Sequence, residues 1–184
     1  MLNWMTRRPG LKRKAGDLYG MVVAAARQPS FYGAERVPDT PEGRLELVAL
    51  HLFLVAERVK SLPGDGEALA QHLIEAFVTD MDDCMREMGV GDMTVPKRVK
   101  GAAALFYDRS GAYRQALAEM PVDAGGSDPL AAIAIAKILR GPAGHAFAGA
   151  IAKYIRASDD KLARLAADDI AAGQLSFAKA PRAA

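Results

Sequence analysis

The chain has 184 residues, which is enough for one domain with a sizeable hydrophobic core and too few for two domains of typical size. Its 24 Lys and Arg residues nearly balance its 22 Asp and Glu residues, and the net charge of +2 argues against both a general nucleic-acid binder and an acidic, solvating chain. A single cysteine cannot form an internal disulfide and is typical of a reducing compartment, so we expect a cytoplasmic protein.

The first fourteen residues, MLNWMTRRPGLKRK, form a basic segment that contains no acid. The segment has no apolar core of signal-peptide length, and no run in the chain reaches the roughly 18 apolar residues of a membrane-spanning helix. Cations mixed with apolar anchors suit an anionic membrane surface, and a disordered basic tail is the alternative. The candidate membrane-surface residues are Trp4, Arg7, Arg8, Lys12, Arg13 and Lys14.

Abundant alanine and the lack of sustained apolar–polar alternation predict an all-α fold, a single compact domain of about six or seven helices. A first helix is expected from about Lys14 to Gln28, because the residue before Pro29 is disfavoured in a helix. The sequence TPE at 40–42 supplies a capping hydroxyl and a first-turn proline for the second helix, which should end before the Pro-Gly pair at 63–64.

A third helix is expected from about Glu67 to Met88, with Gly89 as its left-handed C-cap. Its apolar stripe has spacings of three and four residues and consists of Leu69, Leu73, Phe77, Met81, Cys84, Met85 and Met88. Met81 and Met85 are expected in the core, and Cys84 is interpreted as a small buried side chain rather than a nucleophile. A fourth helix should begin near Thr94 or Val95, with a similar stripe of Val95, Val99, Ala102, Phe106, Tyr113, Leu117 and Met120.

The alanine-rich remainder is expected to form helices at about 129–140, 143–156 and 158–172, with breaks at Gly141-Pro142 and around Ser158. Residues from Gly173 onward are expected to fray. The predicted organisation is therefore a basic segment over residues 1–14, a helical domain over 15–172 and a frayed tail over 173–184.

Residues 80–100, DMDDCMREMGVGDMTVPKRVK, place acids, a glycine turn and cations in succession. A phosphate loop would need a preceding strand and a GK[ST] or GxGxxG signature, so the GVGD sequence is predicted to be a helix-to-helix turn. Asp80, Asp83 and Glu87 share one helix face, as in a magnesium site, but a second set of ligands is missing and a solvated polar face is favoured. The histidines, His51, His72 and His145, lack metal-binding spacing. We therefore predict no metal, no cofactor and no catalytic group.

Lys97, Arg98 and Lys100 lie in the first turns of the fourth helix, where the helix dipole disfavours each cation by about 0.3–1 kcal/mol. Pairing with Asp83, Glu87 or Asp92 would offset this cost, and an acidic or anionic partner is the other explanation. The candidate partner-binding residues are Asp80, Asp83, Arg86, Glu87, Asp92, Lys97, Arg98 and Lys100.

Two segments, VPDTPEGRLELVALHLFLV at 37–55 and FVTDMDDCMREMGVGDMTVPKRVKGAAALFYDRSGAY at 77–113, resemble the ubiquinol-cytochrome c chaperone family, the assembly factors of the cytochrome bc1 complex. The resemblance extends over about residues 31–148. The matching residues are Asp39, Gly43, Arg44, Glu46 and His51 in the first block, and Asp80, Met81, Asp82, Arg86, Glu87, Gly89, Gly91, Asp92, Lys97 and Arg98 in the second. Met93 stands where leucine is more common, and Gly101-Ala102-Ala103 stand where bulkier residues are common.

The resemblance implies an α-helical, non-enzymatic chaperone that binds newly synthesised cytochrome b at the membrane. In mitochondria such proteins work with a small partner and the ribosome. Because no mitochondrial presequence is evident, a bacterial member is expected, cytoplasmic or peripheral on the cytoplasmic face of the inner membrane, and mitochondrial only in a eukaryote. The membrane surface and the translating ribosome are further candidate partners, and no sequence-specific nucleic acid is expected.

Two other function classes remain open from the sequence. A peripheral-membrane protein that binds a lipid or quinone would show a deep apolar pocket with few polar groups. A metal-dependent enzyme acting on isoprenoid diphosphates would be stabilised by its metal ion.

Overall fold

The computed structural model describes residues 3–119, 128–139 and 145–181. Within these ranges the chain forms seven α-helices, which confirms the predicted all-α fold; Tyr32 and Val37 form one isolated β-bridge. The helices are α1 (Asn3–Ala26), α2 (Pro41–Lys60), α3 (Gly66–Glu87), α4 (Val95–Ala118), α5 (Pro129–Ile133), α6 (His145–Ala163) and α7 (Ala167–Ala171). A 3₁₀ turn at Pro29–Phe31 follows α1, and a π-helix at Ala134–Leu139 extends α5. One hydrophobic cluster draws on all seven α-helices.

The second helix is the centre of the fold, because every residue from Glu46 to Ala56 is buried. A helix that is buried on all sides must be covered on all sides, and α1, α3, α4 and α6 pack around it. The Thr40 hydroxyl accepts a hydrogen bond of 3.2 Å from the Gly43 N–H, and Pro41 occupies the first turn. The predicted start of this helix is therefore confirmed.

The central helix buries a carboxylate, Glu46, at 0% exposure. Removing an ion from water is expensive unless a partner with good geometry replaces the hydration. Arg109 of α4 supplies it: its Nε and Nη2 atoms donate to the two Glu46 carboxylate oxygens, both at 2.9 Å. This bidentate pair fixes the rotation of α4 relative to α2, and with it the direction in which the other side of α4 faces.

A chain of hydrogen bonds connects the buried His51 to α6 and to the C-terminal residues. The His51 Nδ1 atom lies 2.8 Å from the Leu47 carbonyl oxygen, which can only accept, so this nitrogen carries the proton. Burial lowers the pKa of His51 to about 4, and the neutral ring therefore accepts at Nε2 from the Tyr154 hydroxyl at 2.6 Å. Ser158 donates to Tyr154 and accepts from the Ala178 N–H at 3.1 Å.

Residues 174–181 are not helical, but Leu175, Phe177, Ala178 and Ala180 pack against the core, so this segment is not frayed as expected. The Phe177 ring lies 5.1 Å from the His51 ring, and Ala180 is 7% exposed. Lys161 donates to the Phe177 carbonyl oxygen at 3.3 Å. The Phe177 ring and the Ala178 N–H therefore contact His51 and Ser158, and no local sequence pattern predicts these contacts between distant residues.

Two predicted helix boundaries are wrong. The first helix begins at Asn3 and not near Lys14, so the basic segment forms the first turns of α1, in keeping with the good helix propensity of Leu, Arg and Lys. The predicted break at Ser158 is absent, because its buried hydroxyl bonds to Tyr154 within α6 and to the Ala178 N–H, and the chain turns instead at residues 164–166. The predicted break at Gly141-Pro142 and the stripe residue Met120 lie outside the described residues.

The buried ion pair gives a stability prediction. Replacing Arg109 with Ala leaves the Glu46 carboxylate buried without its partner, and we expect a loss of about 3–5 kcal/mol in the free energy of unfolding. Arg114→Ala is the matched control, since Arg114 makes an equivalent bidentate pair with Glu57 on the surface and should cost at most about 1 kcal/mol. Urea unfolding measures both. Equal losses in the two variants would contradict the role given to burial.

The buried histidine gives a pH prediction. His51 is neutral in the fold, whereas in the unfolded chain it titrates near 6.5, so protons favour the unfolded state. Its contribution to stability is complete above about pH 6.5 and is lost as the pH falls toward the folded-state pKa of about 4, a decrease of about 3 kcal/mol. Unfolding free energies measured across this window should decline less steeply in His51→Gln than in the natural protein. His72→Gln, which alters a half-exposed histidine paired with Glu75, should keep the steep decline. Identical profiles for the natural protein and His51→Gln would refute the assignment.

Candidate partner-binding surface at the α3–α4 turn

Gly89 ends α3 with φ of 73°, a left-handed conformation that confirms the predicted C-cap. The Val90 N–H donates to the Met85 carbonyl oxygen at 3.1 Å, and this hydrogen bond between residues five positions apart is typical of such a cap. Arg86 then stabilises the turn from the side, because its Nε atom donates to Asp82 at 2.6 Å and its Nη1 atom to Asp92 at 2.7 Å. The GVGD sequence is thus a helix-to-helix turn, as predicted.

The acids of α3 do not gather into one site. Asp80 faces α1, where it accepts a hydrogen bond of 2.7 Å from the Tyr19 hydroxyl, while Asp83 and Glu87 are exposed. Across residues 3–119, 128–139 and 145–181, no three His, Cys, Asp or Glu side chains are grouped closely enough to hold a metal ion. Asp80 is therefore an anchor between α3 and α1 rather than part of an exposed surface.

The stripe of α3 is buried only in its first half. Leu69, Leu73 and Phe77 are buried and Met81 packs against the core, but Met85 is half-buried outside the core cluster and Met88 is 60% exposed. The reason is that α1 ends at Ala26, level with residue 84, so the last turn of α3 extends beyond its neighbour. The expectation that Met85 belongs to the core is therefore wrong.

The cations at the start of α4 are exposed, and none forms an ion pair with a described residue. Asp92 pairs with Arg86 instead, so of the two explanations left open by the sequence, neutralisation of these cations by Asp92 does not occur in the structure. The N-cap residue Thr94 makes no capping hydrogen bond through its side chain. Positive charge therefore accumulates at a helix end that is itself positive.

Exposed apolar side chains lie close to these cations in the sequence. The large hydrophobic residues that are exposed in the described parts of the chain are Met88, Met93 and Tyr107, at 60%, 96% and 58%. Met88 and Met93 flank the turn, and Tyr107 lies further along α4. We define the turn surface by its exposed members Asp83, Glu87, Met88, Met93, Lys97, Arg98 and Lys100.

Sequence reasoning missed Tyr107 as a surface residue, although a signal was present. The buried stripe of α4 passes through Phe106 and Tyr113, and the residue after Phe106 lies about 100° away from that stripe on a helix. A large aromatic side chain at such a position has no place in the core.

Residues of the first matching block serve the fold. Asp39 and Arg44 form an exposed pair at 2.7 Å, and a Cβ atom on Gly43 would lie 2.1 Å from the Pro38 carbonyl oxygen. Glu46 and His51 hold the buried contacts described above. Among the charged residues of the second block, Glu87, Lys97 and Arg98 lack such an internal role in the described structure.

The basic start of α1 lies at the opposite end of the α1–α3 pair from the turn surface. Lys12 lies near Glu75 and Arg27 near Cys84, so the two helices run in the same direction. Lys12, Arg13 and Lys14 are exposed, whereas the side chains of Trp4, Arg7 and Arg8 lie outside the described part of the structure.

A cavity of ≈ 390 Å³ lies beside this basic segment, between α1 and the end of α7. Its lining includes Arg13, Lys14 and Asp17, so it is not the deep apolar pocket that a lipid- or quinone-binding protein would need. None of the described helices is both long and apolar enough to cross a membrane.

Exposed methionines beside exposed charges are typical of surfaces that adapt to a segment of another chain. The sequence model of the ubiquinol-cytochrome C chaperone family matches residues 34–177, and the chain belongs to this family. The crystal structure of the Cbp3 homolog from Brucella abortus is similar over 98% of each chain, with 36% sequence identity and a TM-score of 0.74. No curated protein matches the chain. The resemblance found in the sequence is thus confirmed, and the match continues into the C-terminal segment.

Proposed function

We propose that the protein is a non-catalytic chaperone that binds newly synthesised cytochrome b during assembly of the cytochrome bc1 complex, and that the turn surface is its binding site. Membership of the ubiquinol-cytochrome c chaperone family supports the role in assembly. The observation that carries the choice of site is the exposed group Lys97, Arg98 and Lys100, which has no ion-pair partner in the described structure.

These cations cost stability where they are. Lys97 and Arg98 lie in the first turn of α4, where the helix dipole disfavours a cation by about 0.3–1 kcal/mol, and Asp92, the acid of the turn, is already paired with Arg86. A carboxylate of a partner would offset that cost on binding. Met88 and Met93 add flexible apolar contacts beside the charges, as in proteins whose surfaces adapt to a segment of another chain.

The surroundings of the side chains that could act in catalysis, Cys84, His51 and His72, support a non-catalytic role. Burial, followed by the charges of Asp80 and Glu87, raises the pKa of Cys84, the opposite of what activates a thiol. His51 is enclosed and both of its ring nitrogens are engaged. The partly exposed His72 pairs with Glu75 on a solvated helix face.

We further propose that the basic start of α1 contacts an anionic membrane surface. Lys14 and Arg27 are thirteen residues apart, about 20 Å along a helix that runs parallel to α3. Contact through the start of α1 would therefore leave the turn surface away from the membrane, where it can meet a client segment on the cytoplasmic side.

Charge reversal tests the client site. In Lys97→Glu/Arg98→Glu we expect an unchanged or higher melting temperature, because acids suit a helix N-terminus, together with weaker capture of cytochrome b. The loss of an interface charge costs about 2–5 kcal/mol, so affinity should fall at least about 30-fold. Capture is measured by crosslinking in cells followed by affinity purification, with the level of assembled bc1 complex as a second readout.

Lys153→Glu/Arg164→Glu is the matched control, because it makes the same change in charge at exposed positions of α6 and the residues after it. It should leave capture and assembly intact. A folded Lys97→Glu/Arg98→Glu protein that captures cytochrome b as well as the control would contradict the proposed site.

Flotation with vesicles of phosphatidylcholine and phosphatidylserine tests the membrane contact. Lys12→Gln/Arg13→Gln/Lys14→Gln keeps good helix formers in α1 but removes three cations, each worth about 1 kcal/mol at an anionic surface, so the partition coefficient should fall about 100-fold. The control Lys97→Gln/Arg98→Gln/Lys100→Gln removes the same charge from the other end and should float like the natural protein. Equal flotation of all three proteins would rule out this membrane contact.

A further inference from the structure

The outer face of α4 continues beyond the turn surface. We define it by Lys97, Lys100, Ala104, Tyr107 and Gly111, which follow one another at spacings of three or four residues and are all exposed. Such residues share one side of a helix, and from first to last they span about 21 Å, or four turns. The buried residues of α4 lie on the opposite side and include Ala102, Phe106, Arg109 and Tyr113.

The two ends of this face differ in character. Lys97 and Lys100 provide positive charge without an ion-pair partner among the described residues. Tyr107, 58% exposed, provides a rigid aromatic surface that its edge-on contact with Phe106, at 5.5 Å between ring centroids, holds in place. Aromatic side chains of this kind are enriched where proteins bind one another.

The positions around these residues carry little or no side chain: Ala104 lies between Lys100 and Tyr107, Gly111 lies one turn beyond Tyr107, and Gly101 follows Lys100 at the edge of the face. A Cβ atom added to Gly101 or Gly111 would meet nothing within 4 Å, so the fold itself gives no reason for glycine at either position. Glycine in a helix interior lowers helix stability. Its compensating property is that it lets another helix approach the backbone closely.

On the basis of the proposed function, we propose that the outer face of α4 is the binding site for a helical segment of the client. The segment is apolar along its length and carries carboxylates at the end that lies over Lys97 and Lys100, while its other end packs on Tyr107. Charge complementarity with Lys97 and Lys100 requires acids at one end of the client segment. The outer face is four turns long, which suits a helix packed along another helix.

Two features favour a helix over other occupants. The backbone groups of α4 are hydrogen-bonded within the helix, so an extended peptide would find no free strand edge to pair with. A lipid surface would gain little, because Tyr107 is the large apolar side chain of this face and the positions around it, Gly101, Ala104 and Gly111, carry little or no side chain.

The test adds side chains at the end and at the edge of this face without touching the core. Gly101→Gln/Gly111→Gln should raise the melting temperature by a few degrees, because glutamine is a better helix former, while its side chains block close approach. We expect at least a tenfold lower yield of crosslinked, newly synthesised cytochrome b in cells. The matched control is Gly16→Gln/Gly20→Gln on α1, where both glycines are also exposed and a Cβ atom would also meet nothing within 4 Å. The control should raise the melting temperature and leave the yield unchanged.

Unchanged capture by Gly101→Gln/Gly111→Gln, or an equal loss in the α1 control, would overturn the inference. If Lys97→Glu/Arg98→Glu reduces capture but the glycine variant does not, the proposed function is supported and the binding of a client helix on the outer face of α4 is rejected. If the natural protein captures no cytochrome b, both fall. If the glycine variant lowers the melting temperature, capture by Tyr107→Ser tests the same proposal, because the Tyr107 side chain is largely exposed and its removal should not unfold the protein.

Discussion

The burial of α2 on every side from Glu46 to Ala56 is the constraint on which the rest of the structure depends. A helix enclosed on every side cannot leave a polar side chain unsatisfied, and this one carries Glu46 and His51 at 0% exposure. Glu46 requires Arg109 and so fixes α4, while His51 requires Tyr154 and so fixes α6 and, through Ser158, the C-terminal segment. Two buried polar groups thus set the orientation of the helices around the centre.

The surface follows from the same constraint. Because Arg109 must face Glu46, the residues on the far side of α4, from Lys97 to Gly111, must face solvent. In the same way, the Asp80 carboxylate is held by Tyr19 of α1, and Arg86 gathers Asp82 and Asp92. The acids nearest to the α4 cations are therefore committed or lie on exposed α3 positions. Function on this account arises from charges that the fold leaves without a partner.

Local sequence signals predicted the local structure well. A capping threonine before a proline marked the start of α2, and Gly89 marked the end of α3, because both signals act within one turn. Contacts between distant residues were not predictable in this way. Nothing near Glu46 in the sequence names Arg109 as its partner, and the satisfied hydroxyl of Ser158 turned an expected helix break into a helix interior. The same limit applied to the candidate site: the cations were identified from their position, but whether Asp92 would neutralise them depended on Arg86.

A photoreactive amino acid in place of Met93 tests the central claim most directly. Met93 is 96% exposed in the middle of the turn surface, so the probe should leave the fold unchanged and report what touches that surface in cells. A probe at the exposed residue Lys153 of α6 serves as reference. The account predicts that mass spectrometry finds cytochrome b peptides joined to position 93 and not to position 153. Cytochrome b absent from position 93, or joined equally to both positions, would contradict it.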